Sequence, residues 1–155
     1  MGTKTLGLLI AGLACLSGQE KYSGPAPAKP DIPYLLRAQS LISIELAQAR
    51  RDGEIYVIVG AGSSARTPQS EPAFLIDARE ISPEQIELYP LEVKNGSREA
   101  SFSTKSRKGS TSPLHLMVHR LGEHLYRIEP SEMLENGEYA LTDDADSHVF
   151  CFAVY

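Results

Sequence analysis

The chain from Tyr34 onward consists of short apolar runs separated by turn residues, at intervals of roughly 8–12 positions. This spacing is typical of an all-β domain, and no helix-length window shows a clean 3.6-residue period. We therefore predict strands at Tyr34–Arg37, Leu41–Ala49, Glu54–Gly60, Ala73–Ala78, Gln85–Lys94, Arg98–Ser103, Leu114–His119, Leu125–Glu129, Glu138–Thr142 and His148–Val154.

Three dipeptides between these runs are typical of tight turns: Asp52-Gly53, Asn95-Gly96 and Asn136-Gly137. Asn-Gly and Asp-Gly tolerate the positive φ angles that short hairpin turns need. Asn95-Gly96 in particular predicts a two-residue hairpin.

The two faces of the predicted strands differ in informative ways. Apolar and polar residues alternate in Leu114–His119, which predicts one buried and one wetter face. Ile55–Val59 and Val149–Val154 are apolar on both faces, which predicts central strands whose second face is covered by a loop, a neighbouring chain or a partner. The predicted fold is an antiparallel, immunoglobulin-like sandwich of two sheets with roughly seven to nine strands.

Residues 1–18 have the features of a secretory signal peptide. Lys4 precedes an uncharged apolar run over Leu6–Leu16, and the small residues Ser17 and Gly18 follow. A membrane-spanning helix needs roughly 20 apolar residues, so this run is too short for a simple anchor. We therefore predict an extracytoplasmic protein, either periplasmic or secreted.

Cys15 leaves a second processing route open, in which it becomes the lipidated first residue of a lipoprotein. Ala14 suits the position before a lipidated cysteine, whereas Gly12 stands where a leucine is usual. A lipid on Cys15 is the one membrane attachment that the sequence offers, and its strength would depend on the number of acyl chains.

Residues 19–33 are predicted to be a tether rich in Pro and Ala, followed by a single β-sandwich domain at residues 34–155. Such a composition favours extended conformations and acts as a semi-rigid spacer. Once Cys15 is removed or lipidated, Cys151 has no partner for an internal disulfide, so packing must hold the domain together.

The net charge of −5 argues against sequence-independent binding of nucleic acid, because such binding depends on Lys and Arg contacts to phosphates. One basic cluster, Lys105, Arg107 and Lys108, lies among Ser, Thr and Gly residues. This setting is typical of a solvated turn.

Gly60-Ala61-Gly62-Ser63-Ser64-Ala65 matches the G-x-G-x-x-A pattern of dinucleotide-binding loops. A dinucleotide site needs that loop to open a helix, whose N-terminal N–H groups hold the pyrophosphate. Pro68 and Pro72 fall where the helix must run. We therefore expect a glycine-rich surface loop and no cofactor.

His115, His119 and His124 resemble a damaged zinc-protease motif, in which Leu116 replaces the catalytic Glu. That motif requires a helix, and in a strand four residues span roughly 13 Å, too far for two imidazoles to share one metal. We expect no metal at these histidines.

Two further groups of residues could support chemistry near the C-terminus. Asp143, Asp144 and Asp146 are weak candidates for a calcium site, because clustered loop carboxylates can bind Ca²⁺, although Asp-rich turns are common without an ion. Cys151 lies within an apolar strand, where burial makes a thiol unreactive, so we expect it to pack in the core.

The C-terminal third contains Gly137-Glu138-Tyr139-Ala140-Leu141, followed by Phe150-x-Phe152-x-Val154. This pair of motifs resembles the closing hairpin of a group of small, uncharacterised, exported bacterial β-sandwich proteins. Pro30–Leu36 and Thr67-Pro68 are similar to the same group. The resemblance implies the sandwich and the export, and it supplies no catalytic residues.

The leading functional hypothesis is an exported, non-enzymatic binding or structural module whose partner is an unknown extracytoplasmic protein or envelope component. One alternative is an extracytoplasmic hydrolase with residues scattered along the chain, using His115 or His119. The other is a self-assembling envelope protein whose edge strands pair between copies.

Overall fold

The computed structural model describes Gly2 and residues 21–101, 111–143 and 148–155. The predicted signal segment with Cys15, the basic cluster at Lys105, Arg107 and Lys108, and the acidic pair Asp144 and Asp146 lie outside the described residues. The described ranges contain twelve strands: β1 (Tyr34–Arg37), β2 (Ser40–Ser43), β3 (Glu45–Asp52), β4 (Ile55–Val59), β5 (Arg66–Thr67), β6 (Ala73–Asp77), β7 (Glu87–Lys94), β8 (Ser97–Ser101), β9 (Leu116–Arg120), β10 (Leu125–Pro130), β11 (Gly137–Thr142) and β12 (His148–Val154). A single 3₁₀ turn covers Pro83–Gln85 in this part of the chain.

The strands form two sheets. The smaller sheet has the order β2-β1-β6-β10-β9, and the larger has the order β11-β7-β8-β4-β3-β12-β5. Strand β12 pairs with β3 on one side and with β11 on the other, so six strands of the larger sheet close into a barrel. The two-residue strand β5 adds to β12 in the parallel direction, and the other pairings are antiparallel.

The prediction of an all-β fold with two antiparallel sheets is confirmed at this level, and the immunoglobulin-like sandwich is not confirmed. The difference lies in the pairing of β12 with β11, because an open sheet ends in two edge strands, whereas this pairing joins the two ends of the order β11-β7-β8-β4-β3-β12. Here β12 uses both of its edges within the same sheet. The alternation of residues along a strand is identical in open and closed sheets, so the sequence pattern did not reveal closure.

The main core lies between the barrel and the smaller sheet. On β12, Phe152 and Val154 face this layer, and the Phe152 ring lies 4.9 Å from the Phe74 ring centroid and 5.5 Å from that of Tyr139. The other buried members of the layer are Leu35, Ile44, Ala65, Ile76, Ile86, Leu88, Ile128, Leu134 and Leu141.

The inside of the barrel is filled mainly by small side chains. Ala49, Ile58, Ala140, Val149 and Cys151 are buried together there. Small residues fit a six-stranded barrel, because its interior is narrow. The predicted two-sided strand Val149–Val154 is thus explained, since one of its faces fills the barrel and the other fills the main core.

One predicted turn lies at the expected residues, and another is displaced by one residue along the chain. Asn95 and Gly96 have φ angles of 49° and 77° and join β7 to β8 directly, which confirms the two-residue hairpin. Asp52 pairs with Ile55 as the last residue of β3, so the next turn consists of Gly53 and Glu54 instead of Asp52-Gly53.

Two further details of the strand prediction needed correction. The predicted strand Leu41–Ala49 is divided into β2 and β3, which belong to different sheets, with the buried Ile44 between them. The short strand β5 was not predicted, because two residues give no periodic signal.

The end of the predicted tether is attached to the domain. The Asp31 carboxylate accepts hydrogen bonds from the backbone N–H groups of Arg79, Glu80 and Ile81, at 2.7, 2.9 and 3.3 Å. Pro33 is fully buried. Burial would raise the pKa of Asp31, but these three bonds outweigh it and hold the pKa below its usual value.

Over the described ranges, no helix has the length and apolar character needed to cross a membrane.

Truncation of Phe152 to alanine should destabilise the domain by about 3–5 kcal/mol, because it leaves a cavity between the barrel and the smaller sheet. Chemical unfolding followed by fluorescence or circular dichroism measures this loss. The control is Met133→Ala, at a side chain that is 71% exposed, with an expected change within about 0.5 kcal/mol. A loss below about 1 kcal/mol for Phe152→Ala would place this ring outside the core.

Candidate functional site

Arg98 is the largest buried polar residue described, with only 1% of its surface exposed. It lies on β8 opposite Ile58 of β4, which in turn is opposite Ala49 of β3, so all three point into the barrel. A buried guanidinium is strongly disfavoured unless each N–H group has an acceptor.

The structure supplies those acceptors from two strands and one loop. Glu45 Oε1 lies 2.8 Å from Arg98 Nη2, and Glu45 Oε2 lies 3.3 Å from Nη1. Ser63 Oγ accepts from Nη1 at 2.8 Å. The carbonyl oxygens of Val59 and Gly60 accept from Nη2 and Nε at 3.0 and 2.9 Å. These contacts use the five N–H donors of the guanidinium.

The glycine loop after β4 is held by a second carboxylate. Glu138 Oε2 accepts from the Ser63 backbone N–H at 3.0 Å and from the Ser63 hydroxyl at 2.5 Å. Glu45 Oε2 accepts from the backbone N–H of Ser64 at 3.0 Å. Arg98 Nη1 lies 3.9 Å from Glu138 Oε2, so one guanidinium is shared between two carboxylates.

This loop crosses one end of the barrel. It leaves β4 at Gly60, which has a φ angle of 91°, and continues into β5 beside β12. Its Ser63 and Ala65 are buried. Ala61, Gly62 and Ser64 are exposed, so the loop lies at the surface as expected, while Ser63 and Ala65 turn inward across the barrel end. The Ser63 and Ser64 N–H groups bind the protein's own carboxylates instead of opening a helix.

The role of Arg98 was missed at the level of sequence. Ser97, Glu99 and Ser101 point outward from β8, so both faces of this strand carry polar residues and alternation alone does not select the buried one. One signal was available: Arg98 and Ala100 are two residues apart on β8, so they lie on the same face of the strand as each other. This face is recognised as the buried one only when the neighbouring strands are known.

The electrostatics of the network follow from its geometry. Burial would raise the pKa of Glu45, but the hydrogen bonds from Arg98 and Ser64 and the charge of Arg98 bring the pKa below its usual value. Cys151 is fully buried, as expected, and burial raises the pKa of its thiol to about 12. This thiol is therefore protonated and inert at neutral pH.

The histidines are not brought together. His119 lies on β9 and His115 just before it, so the extended backbone separates them as predicted. His119 is largely exposed, with Nε2 4.0 Å from Glu129 Oε2, and His124 Nε2 lies 3.7 Å from Glu123 Oε1. Within the described ranges, no three His, Cys, Asp or Glu side chains are grouped closely enough to hold a metal ion.

The calcium hypothesis is only partly within the described residues. Asp143 is half-buried directly after β11, and Asp144 and Asp146 lie outside the described ranges. The calcium site therefore stays a prediction.

An apolar surface lies on the outside of the barrel wall. Tyr56 and Ile58 face the interior, so Ile55, Val57 and Val59 of the same strand face outward. Ile55 is 38% exposed and Val59 84%. We call this row, together with the 57%-exposed Leu46 of β3, the β4 face.

The borders of the β4 face are polar and differ in charge. On β3, Arg50 pairs with Val57 and Asp52 with Ile55. On β8, Ser97 pairs with Val59 and Glu99 with Val57. At Val57, the apolar row therefore has a cation on one side and an anion on the other.

Comparison of the chain with known protein families, curated proteins and solved structures found no match. The resemblance to exported bacterial β-sandwich proteins stays a prediction, and the chemistry of the chain's own residues has to indicate its function.

Replacing Arg98 with methionine should destabilise the domain by about 3–5 kcal/mol, because it leaves Glu45 and Glu138 without their shared cation. Urea unfolding measures the loss, and Arg51→Met on an exposed side chain is the control. Adding Glu45→Gln and Glu138→Gln to Arg98→Met should recover part of the stability. If the triple variant is no more stable than Arg98→Met, the loss of stability does not come from the unpaired carboxylates.

Acidification should weaken the fold through Glu45 and Asp31. Both have folded-state pKa values below their usual ones, so the unfolded chain takes up protons first and stability falls as the pH drops toward the folded-state values. The measurement is the urea midpoint between about pH 7 and about pH 3. Glu45→Gln should show a smaller decline over this range, and a decline equal to wild type would remove Glu45 as a source.

Proposed function

We propose that this protein is an exported, non-enzymatic binding or structural module that engages a partner in the cell envelope through its β4 face. The observation behind the proposal is the outward-facing row Ile55, Val57 and Val59, on a strand whose opposite face is already used to fill the barrel. Ile55 and Val59 are exposed, and Val57 between them is half-buried.

Comparison with the neighbouring strand β8 supports an interaction role for the apolar row on β4. β8 is also part of the barrel wall, and its outward residues are Ser97, Glu99 and Ser101. The fold therefore accepts polar residues on this surface, so packing alone does not require three β-branched apolar residues on β4. Contiguous exposed apolar surface is typical of interaction sites, because hiding it from water contributes about 25 cal/mol per Å².

The Arg98 network supports a non-enzymatic role. Its guanidinium donors are used by Glu45, Ser63 and the carbonyl groups of the glycine loop, and Arg98 itself is buried. A group with no free donor and no access to solvent is suited to holding the fold, whereas binding a substrate requires exposed, unsatisfied groups.

Export is the second component of the proposal, and it rests on the signal-like segment at residues 1–18. It implies that the partner is an extracytoplasmic protein or another envelope component. Lipidation of Cys15 would hold the domain at a membrane, whereas cleavage near Gly18 would release it. Intact-mass analysis of the mature chain distinguishes these two routes.

A photo-crosslinking amino acid at Val59 should capture the partner in intact cells, because this side chain is the most exposed on the β4 face. The same probe at Met133, which is exposed elsewhere on the domain, is the matched control. The proposal expects a crosslinked product at Val59 that is absent at Met133. Identical products at the two positions, or none at Val59, would contradict it.

A further inference from the structure

We propose that the partner on the β4 face is a second copy of this chain, bound face to face about a two-fold axis parallel to β4. This inference rests on the proposed function, because it assigns an occupant to the same face. It differs from pairing through edge strands, since β4 is hydrogen-bonded on both sides, to β3 and to β8.

The inference depends on the order of charges across the outside of the barrel. The register places Arg50 on β3 opposite Val57, Val57 opposite Glu99 on β8, and Glu99 opposite Glu92 on β7. A line across four strands therefore runs from a cation, over an apolar centre, to two anions. Arg50 is exposed and Glu99 is half-buried.

With a two-fold axis parallel to β4, the charges in this row of residues on one copy are opposite to the charges that they face on the other copy. The rotation exchanges the β3 side with the β8 side, so each copy's Arg50 faces Glu99 of the other copy. Val57 meets its equivalent on the axis. An axis in the plane of the interface but perpendicular to β4 would instead put Arg50 against Arg50 and Glu99 against Glu99. Charge therefore selects one of these two symmetric arrangements.

The neighbouring rows are compatible with the selected arrangement. In the row of Ile55, Asp52 on β3 would face the hydroxyl of Ser101 on the other copy. In the row of Val59, Ser97 on β8 carries no charge. The remaining cation on the acidic side, Lys94, is already paired with Glu92 within the same chain. No row places like charges opposite each other.

A second copy matches the face better than a partner of uniform charge. An acidic partner would meet Arg50 favourably but would be repelled at Glu99 and Glu92, and a basic partner would face the reverse problem. The apolar row is short, so the contact belongs to the small class of interfaces, below about 1,200 Å², that associate weakly. We therefore expect a dimer whose population depends on protein concentration.

Sedimentation velocity of the purified mature chain over a concentration series tests the inference. Arg50→Glu and Glu99→Arg should each weaken dimerisation by about a hundredfold, because each places like charges together twice across the axis. The double variant Arg50→Glu/Glu99→Arg restores opposite charges and should bring the association constant back to within about tenfold of wild type. Arg37→Glu, at an exposed residue ending β1, should leave association unchanged.

The thermal midpoint of each variant checks that it is folded. If either reversal lowers it strongly, Arg50→Gln and Glu99→Gln replace the reversals, and the salt dependence of association becomes the readout. Dimerisation of wild type together with rescue in the double variant supports the inference. A wild type that stays monomeric at every concentration, or a double variant as weak as the singles, overturns it. A crosslink from Val59 to a different envelope protein would then still support the proposed function.

Discussion

The structure depends on the use of both edges of β12. This strand pairs with β3 over His148–Cys151 and with β11 over Phe150–Val154, and these two pairings close the barrel. Closure fixes two chemical environments on one strand. Val149 and Cys151 must fit a narrow lumen, whereas Phe152 fills the wide layer beneath the smaller sheet. Cys151 on this strand is a free thiol, so packing, and not a disulfide at Cys151, joins the two cores here.

Closing the barrel leaves backbone polar groups of the capping loop in need of hydrogen-bond partners, and Arg98 supplies some of them. The lumen is filled by small apolar side chains, but its end must be capped by a loop whose backbone N–H and C=O groups lose contact with water. Arg98 accepts no bonds and donates five, so it satisfies the carbonyl groups of Val59 and Gly60. Glu45 and Glu138 do the converse for the N–H groups of Ser64 and Ser63. The ionic network therefore satisfies the backbone hydrogen bonds of the loop at the end of a mainly apolar barrel.

This dependence explains what could and could not be predicted from the sequence. Strand positions were predictable because short apolar runs are separated by turn residues, and the Asn95-Gly96 hairpin because its positive φ angles favour Asn and Gly. Closure was not predictable, since it depends on which strands pair with β12, and the residue pattern within a strand does not specify its neighbours. The Arg98 network was missed for the same reason: Glu45 and Glu138 are separated from it by 53 and 40 positions in sequence, and only closure brings the three together. The apolar row on β4 was recognised as needing a cover, but its charged borders required the strand register.

The barrel contains one buried ionic network and one outward-facing apolar row, and these two features separate stability from interaction. The ion pair of Arg98 with Glu45 is turned inward, where it holds the capping loop and is unavailable to a partner. The row Ile55, Val57 and Val59 is turned outward, where it contributes little to the core of a single chain. Because this surface contributes little to the core of a single chain, packing does not account for an apolar row between polar neighbours, whereas the proposed contact does. The ordered sequence of cation, apolar row and anion across that surface then limits which contacts are favourable.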